Sequence, residues 1–137
     1  MIDIALAIAK KAHAGQVDKA GIDYIQHPIY VASQVTTEQE KAVALLHDVI
    51  EDSNVTADDL LAVGLPDEVV KAVQILTKKK GQSYQEYLEK VKLNNLARVV
   101  KLADLKHNSD LSRLKSVTNT DYERVKKYKD AIHYLST

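Results

Sequence analysis

Between Ala42 and Ile50 the chain is apolar on every side of a helix except at His47 and Asp48, and it then runs straight into Glu51 and Asp52. A helix that is hydrophobic all round belongs at the centre of a domain. Burying charge there is costly unless the charge is paired or bound to a metal. Helical spacing sets His47 and Glu51 at i,i+4, Asp48 and Asp52 at i,i+4, and Asp48 and Glu51 at i,i+3. The four side chains therefore crowd one end of a buried helix, a candidate metal and acid/base site.

The rest of the chain also reads at helical spacing. Ile2, Ala5, Leu6, Ala9, Ala12 and His13 predict a helix over 2–14. His13 on that face is read as a structural histidine, with a place near a site as the alternative. Residues 15–26 hold two glycines and no period, so they form a loop, the kind of segment that often carries binding residues. At His27-Pro28 a helix begins, since proline suits the first turn, and it runs to about Thr36 with His27 at its mouth. Thr37 and Glu40 fit a capping box for a helix reaching Ile50 or slightly beyond.

Thr56 opens a short helix that stops by Gly64, and Pro66 opens another with Val69, Val70, Val73 and Leu76 inward. Lys78, Lys79 and Lys80 are placed to close that helix against the negative end of its dipole. Ser83 and Glu86 fit a further capping box, and Asn94 or Asn95 caps the segment that runs to Leu105. That segment too is apolar and then turns polar, at Asp104, Lys106, His107, Asn108 and Asp110. A box at Thr120 starts the last helix, with Tyr122, Val125, Tyr128, Ile132 and Leu135 as its inward stripe. No stretch shows strand alternation bounded by turns, Tyr24-Ile25 being too short. The expectation is one all-α domain over residues 1–137, with about seven or eight helices.

Composition narrows the class. With 137 residues the chain can bury a real core without staples, and with no cysteine it has neither a disulfide framework nor a thiolate metal site. Nineteen basic and nineteen acidic residues cancel, leaving no global field to draw in nucleic acid or an anionic membrane. No apolar run reaches membrane-span length, and the N-terminus lacks the basic flank of a signal peptide, so a cytoplasmic protein is expected. All seven aromatics are tyrosines, so Ala, Val, Leu and Ile must build the core.

Two apolar helices ending in metal-capable residues, with His27 at a third helix mouth, make a stronger pattern than any one member. Two histidines and two aspartates are a mixed nitrogen and oxygen donor set, suited to Mn, Fe, Co, Ni or Zn rather than to a site built for Ca. Such a metal can lower the pKa of bound water and polarise a phosphoryl oxygen. Glu51 and Asp52 are left as acid/base groups.

His27, the doublet His47-Asp48 and Asp104 resemble the metal signature of the HD-domain phosphohydrolases. Three blocks, 13–32 (HAGQVDKAGIDYIQHPIYVA), 44–53 (ALLHDVIEDS) and 99–111 (VVKLADLKHNSDL), resemble one branch more closely: the hydrolase domain of the bacterial ppGpp synthetase/hydrolases and their small stand-alone relatives. That resemblance implies one divalent ion, commonly manganese, on His27, His47, Asp48 and Asp104. It implies Glu51 and Asp52 as the catalytic acidic pair and Asn108 beside substrate and water. Lys19, Tyr24 and Lys101 are further candidates for phosphate or ribose contacts. The implied activity is guanosine-3′,5′-bis(diphosphate) 3′-pyrophosphohydrolysis, with a phosphorylated nucleotide as partner and no room for a synthetase or regulatory domain.

The pattern departs from that branch at one place. Where its members have an Arg-Lys pair after the loop glutamine, this chain has Asp18-Lys19, and aspartate cannot stack on a base as an arginine plane does. A general nucleotide or nucleoside-monophosphate phosphohydrolase is the second reading, and a nucleotide-binding module that keeps its metal without turnover is the third.

Overall fold

The structure is a computed structural model describing residues 1–137, the side chain of Arg113 excepted. Among the described residues it has nine α-helices: α1 (Ile2–Ala12), α2 (Gln26–Ser33), α3 (Glu38–Leu46), α4 (Val49–Asp52), α5 (Ala57–Ala62), α6 (Asp67–Leu76), α7 (Tyr84–Leu93), α8 (Asn95–Asn108) and α9 (Asn119–Ser136). The single β-bridge among them joins Val17 to Asp23. The all-α expectation holds.

Helix α3 is the hub, packed against α1, α2, α6 and α8. Its residues Ala42 to Leu46 are all buried, as its unbroken apolar character requires. Around it Val31, Val69, Val73, Val91, Leu60, Leu105 and Leu135 are fully or almost fully buried. Each such side chain contributes about 1.5–3 kcal/mol.

The extra helix arises because α3 does not run to Ile50. His47 Nδ1 donates to the carbonyl of Ala44 at 2.6 Å, the acceptor that the Asp48 N–H takes in an unbroken helix. The chain bends there, with Asp48 at φ −106° and ψ −1°, and resumes as α4. The bend carries the Asp48 carboxylate back to within 3.1 Å of His47 Nε2.

Capping explains most of the other boundaries. Thr37 with Glu40 and Thr56 with Asp59 form reciprocal boxes, and Ser83 and Asn94 accept from Glu86 N and Ala97 N. Three expectations are corrected. The last helix is capped by Thr118 with Asp121 rather than from Thr120. Asp121 is thereby folded inward and Tyr122 faces solvent at 61% exposure, so it leaves the stripe. The three lysines do not close α6, which ends at Leu76; Thr77 is extended and Lys78, Lys79 and Lys80 follow it, exposed.

Residues 16–24 fold into a tight hairpin rather than an open loop. Asp18 N donates to Ile22 O at 2.8 Å and Tyr24 N to Gln16 O at 2.8 Å. Gly21 turns the chain with φ +79°, a conformation that L side chains rarely adopt.

Candidate metal centre

Four helices deliver the polar cluster. His27 sits in the first turn of α2, His47 just past the end of α3, Asp48 at the start of α4, and Asp104 inside α8. His27, His47 and Asp104 are at most 5% exposed. His27 Nε2 lies 2.7 Å from Asp104 Oδ1, and His47 Nε2 lies 3.3 Å from the same oxygen. One donor atom from each of the three falls within 4.8 Å of the others, an arrangement able to hold a metal ion. Asp48 reaches the group through His47 Nε2.

The donor set fits a divalent ion. Because His47 Nδ1–H donates to a carbonyl, neutral His47 presents a lone pair at Nε2. That buried nitrogen has no hydrogen-bond partner, although the Asp48 and Asp104 oxygens stand 3.1 and 3.3 Å away. A lone pair facing two carboxylates is stabilised only by a cation among them. Spacings of this size also suit neighbouring ligands on one ion with bonds of about 2.0–2.2 Å.

The electrostatics follow. Burial opposes charge on His47, but the Asp48 and Asp104 carboxylates overcome it and hold its pKa well above the ordinary histidine value. Burial works against the Asp48 carboxylate too, yet His47 beside it keeps its pKa down at about 2. Asp104 lies well below the usual range, with Lys101, His27 and His47 outweighing its burial.

Each donor is braced from behind. Lys101 Nζ donates to Asp104 Oδ2 at 3.0 Å and Asn108 Nδ2 to Asp104 Oδ1 at 3.1 Å. The Tyr24 hydroxyl donates to Asp48 Oδ2. Burial, then the Asp48 charge, push the Tyr24 phenol far above its usual value. His27 Nδ1 meets His107 Nδ1 at 2.7 Å.

Glu51 and Asp52 stand on α4, one turn beyond this cluster. Their side chains are exposed, but the protein wall behind the carboxyl ends and the neighbouring Asp48 charge raise both pKa values. Beside the cluster opens a cleft of about 340 Å³, whose walls include Asp18, Lys19, Tyr24, Asn108, Arg124 and Tyr128.

A family model for the HD domain matches residues 5–130. The chain belongs to the HD-domain family. This HD domain is 38% identical over 115 residues to a guanosine-3′,5′-bis(diphosphate) 3′-pyrophosphohydrolase of Haemophilus influenzae, covering 74% of the chain and 17% of that protein. It is 36% identical over 118 residues to the bifunctional (p)ppGpp synthase/hydrolase SpoT of Escherichia coli, covering 76% of the chain and 17% of that protein. The chain thus spans about a sixth of the length of these relatives. Among solved structures, it superposes with a TM-score of 0.80 and 25% identity on a metazoan ortholog of SpoT described as hydrolysing ppGpp, covering 98% of the chain and 84% of that one.

The HD domain brings together most of the residues singled out in the sequence. His27, His47, Asp48 and Asp104 meet in one cluster, and Lys19, Tyr24 and Asn108 line one cleft. Lys101 is placed against Asp104 and the Tyr87 ring instead of on that cleft's wall. Sequence reasoning missed Arg124 and read Tyr128 only as part of the inward stripe; both share the cleft because α9 packs across α8.

It also missed Gln16, whose amide links His13 Nδ1 (2.8 Å) to the Asp52 carbonyl (3.0 Å), and so ties α1 to the end of α4. His13 is buried there, beside the Tyr24 ring. Asp18, the departure from the branch pattern, holds the hairpin: its Oδ1 accepts from Ala20 N at 2.8 Å and Ile22 N at 3.0 Å.

Proposed function

We propose that this chain, over residues 1–137, is a divalent-metal phosphohydrolase of phosphorylated nucleotides, and most specifically a guanosine-3′,5′-bis(diphosphate) 3′-pyrophosphohydrolase. The observation that carries the reading is the buried His27–His47–Asp104 donor cluster with Asp48 against it and two carboxyls of raised pKa one turn beyond. The names of the relatives support the substrate.

His27, His47, Asp48 and Asp104 hold one ion, manganese, which when bound supplies Lewis-acid polarisation of a phosphoryl oxygen and a lowered pKa for water. Glu51 and Asp52 handle protons, one taking a proton from the attacking water and the other giving one to O3′ as it leaves. Water adds to the phosphorus bonded to O3′, that P–O bond breaks, and pyrophosphate and GDP with a free 3′-hydroxyl result. A raised carboxyl pKa suits both roles, because it moves each group toward the working pH.

Lys19 and Tyr24 flank the phosphates and ribose in the cleft. Asn108 binds substrate with the N–H donor that remains after it has directed one to Asp104, while Lys101, one turn earlier on α8, backs Asp104 from outside the cleft. A cytoplasmic setting, with no membrane or nucleic-acid partner, belongs to the same proposal; no helix among the described residues is long and apolar enough to cross a membrane.

Asp18 favours a second reading, a broader nucleotide or nucleoside-monophosphate phosphohydrolase, because its carboxylate is bound up in the hairpin and supplies no plane for a guanine. A panel of nucleotides given to the manganese-loaded protein, with phosphate and pyrophosphate measured separately, decides between them. Pyrophosphate from ppGpp above all other substrates supports the specific reading; phosphate from monophosphates supports the broader one. Tight ppGpp binding with no product indicates a binding module.

A further inference from the structure

We infer that His107 is a positioning residue for His27, able to hold it in either of its neutral tautomers. The inference rests on the metal-site reading above and concerns a residue that reading leaves without a role. His27 comes from α2 and His107 from the last turn of α8. Their Nδ1 atoms are 2.7 Å apart, the ring planes differ by 9°, and the centroids are 4.9 Å apart. Nearly parallel rings that meet through facing nitrogens at this separation lie edge to edge in one plane rather than face to face. The contact is therefore a hydrogen bond, in which one nitrogen carries the proton and the other accepts it.

Which nitrogen donates depends on the far side of His27. There Nε2 is 2.7 Å from Asp104 Oδ1. Without a metal, Nε2–H donates to that carboxylate, so in the neutral ring Nδ1 accepts and His107 Nδ1–H is the donor. A ligating His27 needs the opposite, a lone pair at Nε2, hence a proton on Nδ1 and an acceptor facing it. A carbonyl partner serves only the second arrangement, and such a partner, Ala44 O, fixes His47 in one tautomer. An imidazole nitrogen serves both. Tyr30, one turn along α2 from His27, lies over the His107 ring with centroids 4.2 Å apart and 24° between planes, and so resists rotation of that ring.

The test is calorimetric titration of manganese into the metal-free chain as wild type, His107→Asn and His107→Leu, with thermal melts of each. Asparagine sets its amide where Nδ1 stands and can present either its oxygen or its N–H; leucine keeps a similar bulk with neither. The Asn variant is expected to bind like wild type and the Leu variant about 10- to 100-fold more weakly. Equal affinity of His107→Leu and wild type overturns the inference, as does a His107→Asn variant as weak as His107→Leu. A wild-type chain that takes up no manganese overturns the metal-site reading itself, a failure visible before any variant is compared.

Nitrogen NMR of the metal-free wild type gives a second check that needs no variant to fold. A proton on His27 Nε2 with an accepting Nδ1 is expected, and a proton on Nδ1 alone contradicts it.

Discussion

His47 Nε2 stands 3.3 Å from Asp104 Oδ1, buried, with no hydrogen bond between them. Two acceptors brought this close from different helices form a socket for positive charge, whether a proton or a metal supplies it. Filling it with metal should stabilise the fold. At free manganese one hundred times its Kd the gain is about 2.7 kcal/mol, so the melting temperature should rise on the order of 10 °C and fall back with a chelator. Differential scanning calorimetry with and without manganese checks this, and an unchanged melt in protein shown to bind the ion contradicts it.

Lys101 and Asp104 form a pair at 3.0 Å with side chains 16% and 6% exposed. Burial disfavours the ammonium, but Asp104 more than compensates and lifts its pKa above the ordinary lysine value. Removing one partner leaves the other's charge uncompensated, which costs about 3–5 kcal/mol in buried pairs. Lys101→Ala and Asp104→Asn should therefore each lower stability by about 3 kcal/mol, the exposed edge of the lysine trimming the figure. A Lys101→Met/Asp104→Asn double variant should regain much of that loss in urea titrations of the metal-free protein. Strictly additive losses would show that the pair does not act as a unit.

The metal-free protein should be most stable in mildly acidic solution. Asp48, at about 2, and Asp104 lie below their unfolded values, so their contribution is present above pH about 4 and lost as pH falls toward 2. His47 lies above its unfolded value, so its contribution is complete below pH about 6.5 and lost as pH rises through its folded pKa. Urea midpoints measured across pH should decline on both sides of this window. Manganese should abolish the alkaline decline, because the ion replaces the proton on His47.

Glu51→Gln and Asp52→Asn should separate chemistry from metal binding. Both carboxyls are pushed upward by burial and by Asp48, so ionisation at neutral pH costs the fold a little. With such exposed side chains the gain on neutralising either is under about 1 kcal/mol. Each variant should keep its manganese affinity and its melting temperature or better, while turnover falls about 100- to 10,000-fold. A variant that loses metal in parallel with activity would assign that residue to the ion.

The centre of the fold was legible because α3 is apolar on all faces, which places it in the core, and its turn to polar residues at His47 marked the candidate site. The capping box at Thr37 and the helix start at Thr56 were legible because a cap is set by a few neighbouring residues. The bend at Asp48 was not legible, since it depends on the His47 ring taking the Ala44 carbonyl, a side-chain choice that spacing does not carry. Tyr122 misled because its position fits the stripe, while the cap at Thr118 turns the inward position over to Asp121.

The contacts of His107 and Gln16 were not legible for a different reason. Each acts on a residue far along the chain, 80 positions for His107 to His27 and 36 for Gln16 to Asp52, and only packing brings those pairs together. The donors themselves were readable because His-Asp after an apolar run is costly without a function. Lys101, Asn108 and Tyr24 read from the sequence as substrate contacts, and the fold adds hydrogen bonds from them to Asp104 and Asp48 that spacing does not show.

Hydrolysis of the 3′-diphosphate by this cluster can be followed by phosphorus NMR of ppGpp mixed with the manganese-loaded wild-type chain. The predicted result is loss of the 3′-diphosphate signals with equal growth of pyrophosphate and GDP, abolished by a chelator and in Asp48→Ala. Intact ppGpp in the presence of protein shown to hold manganese would contradict the account.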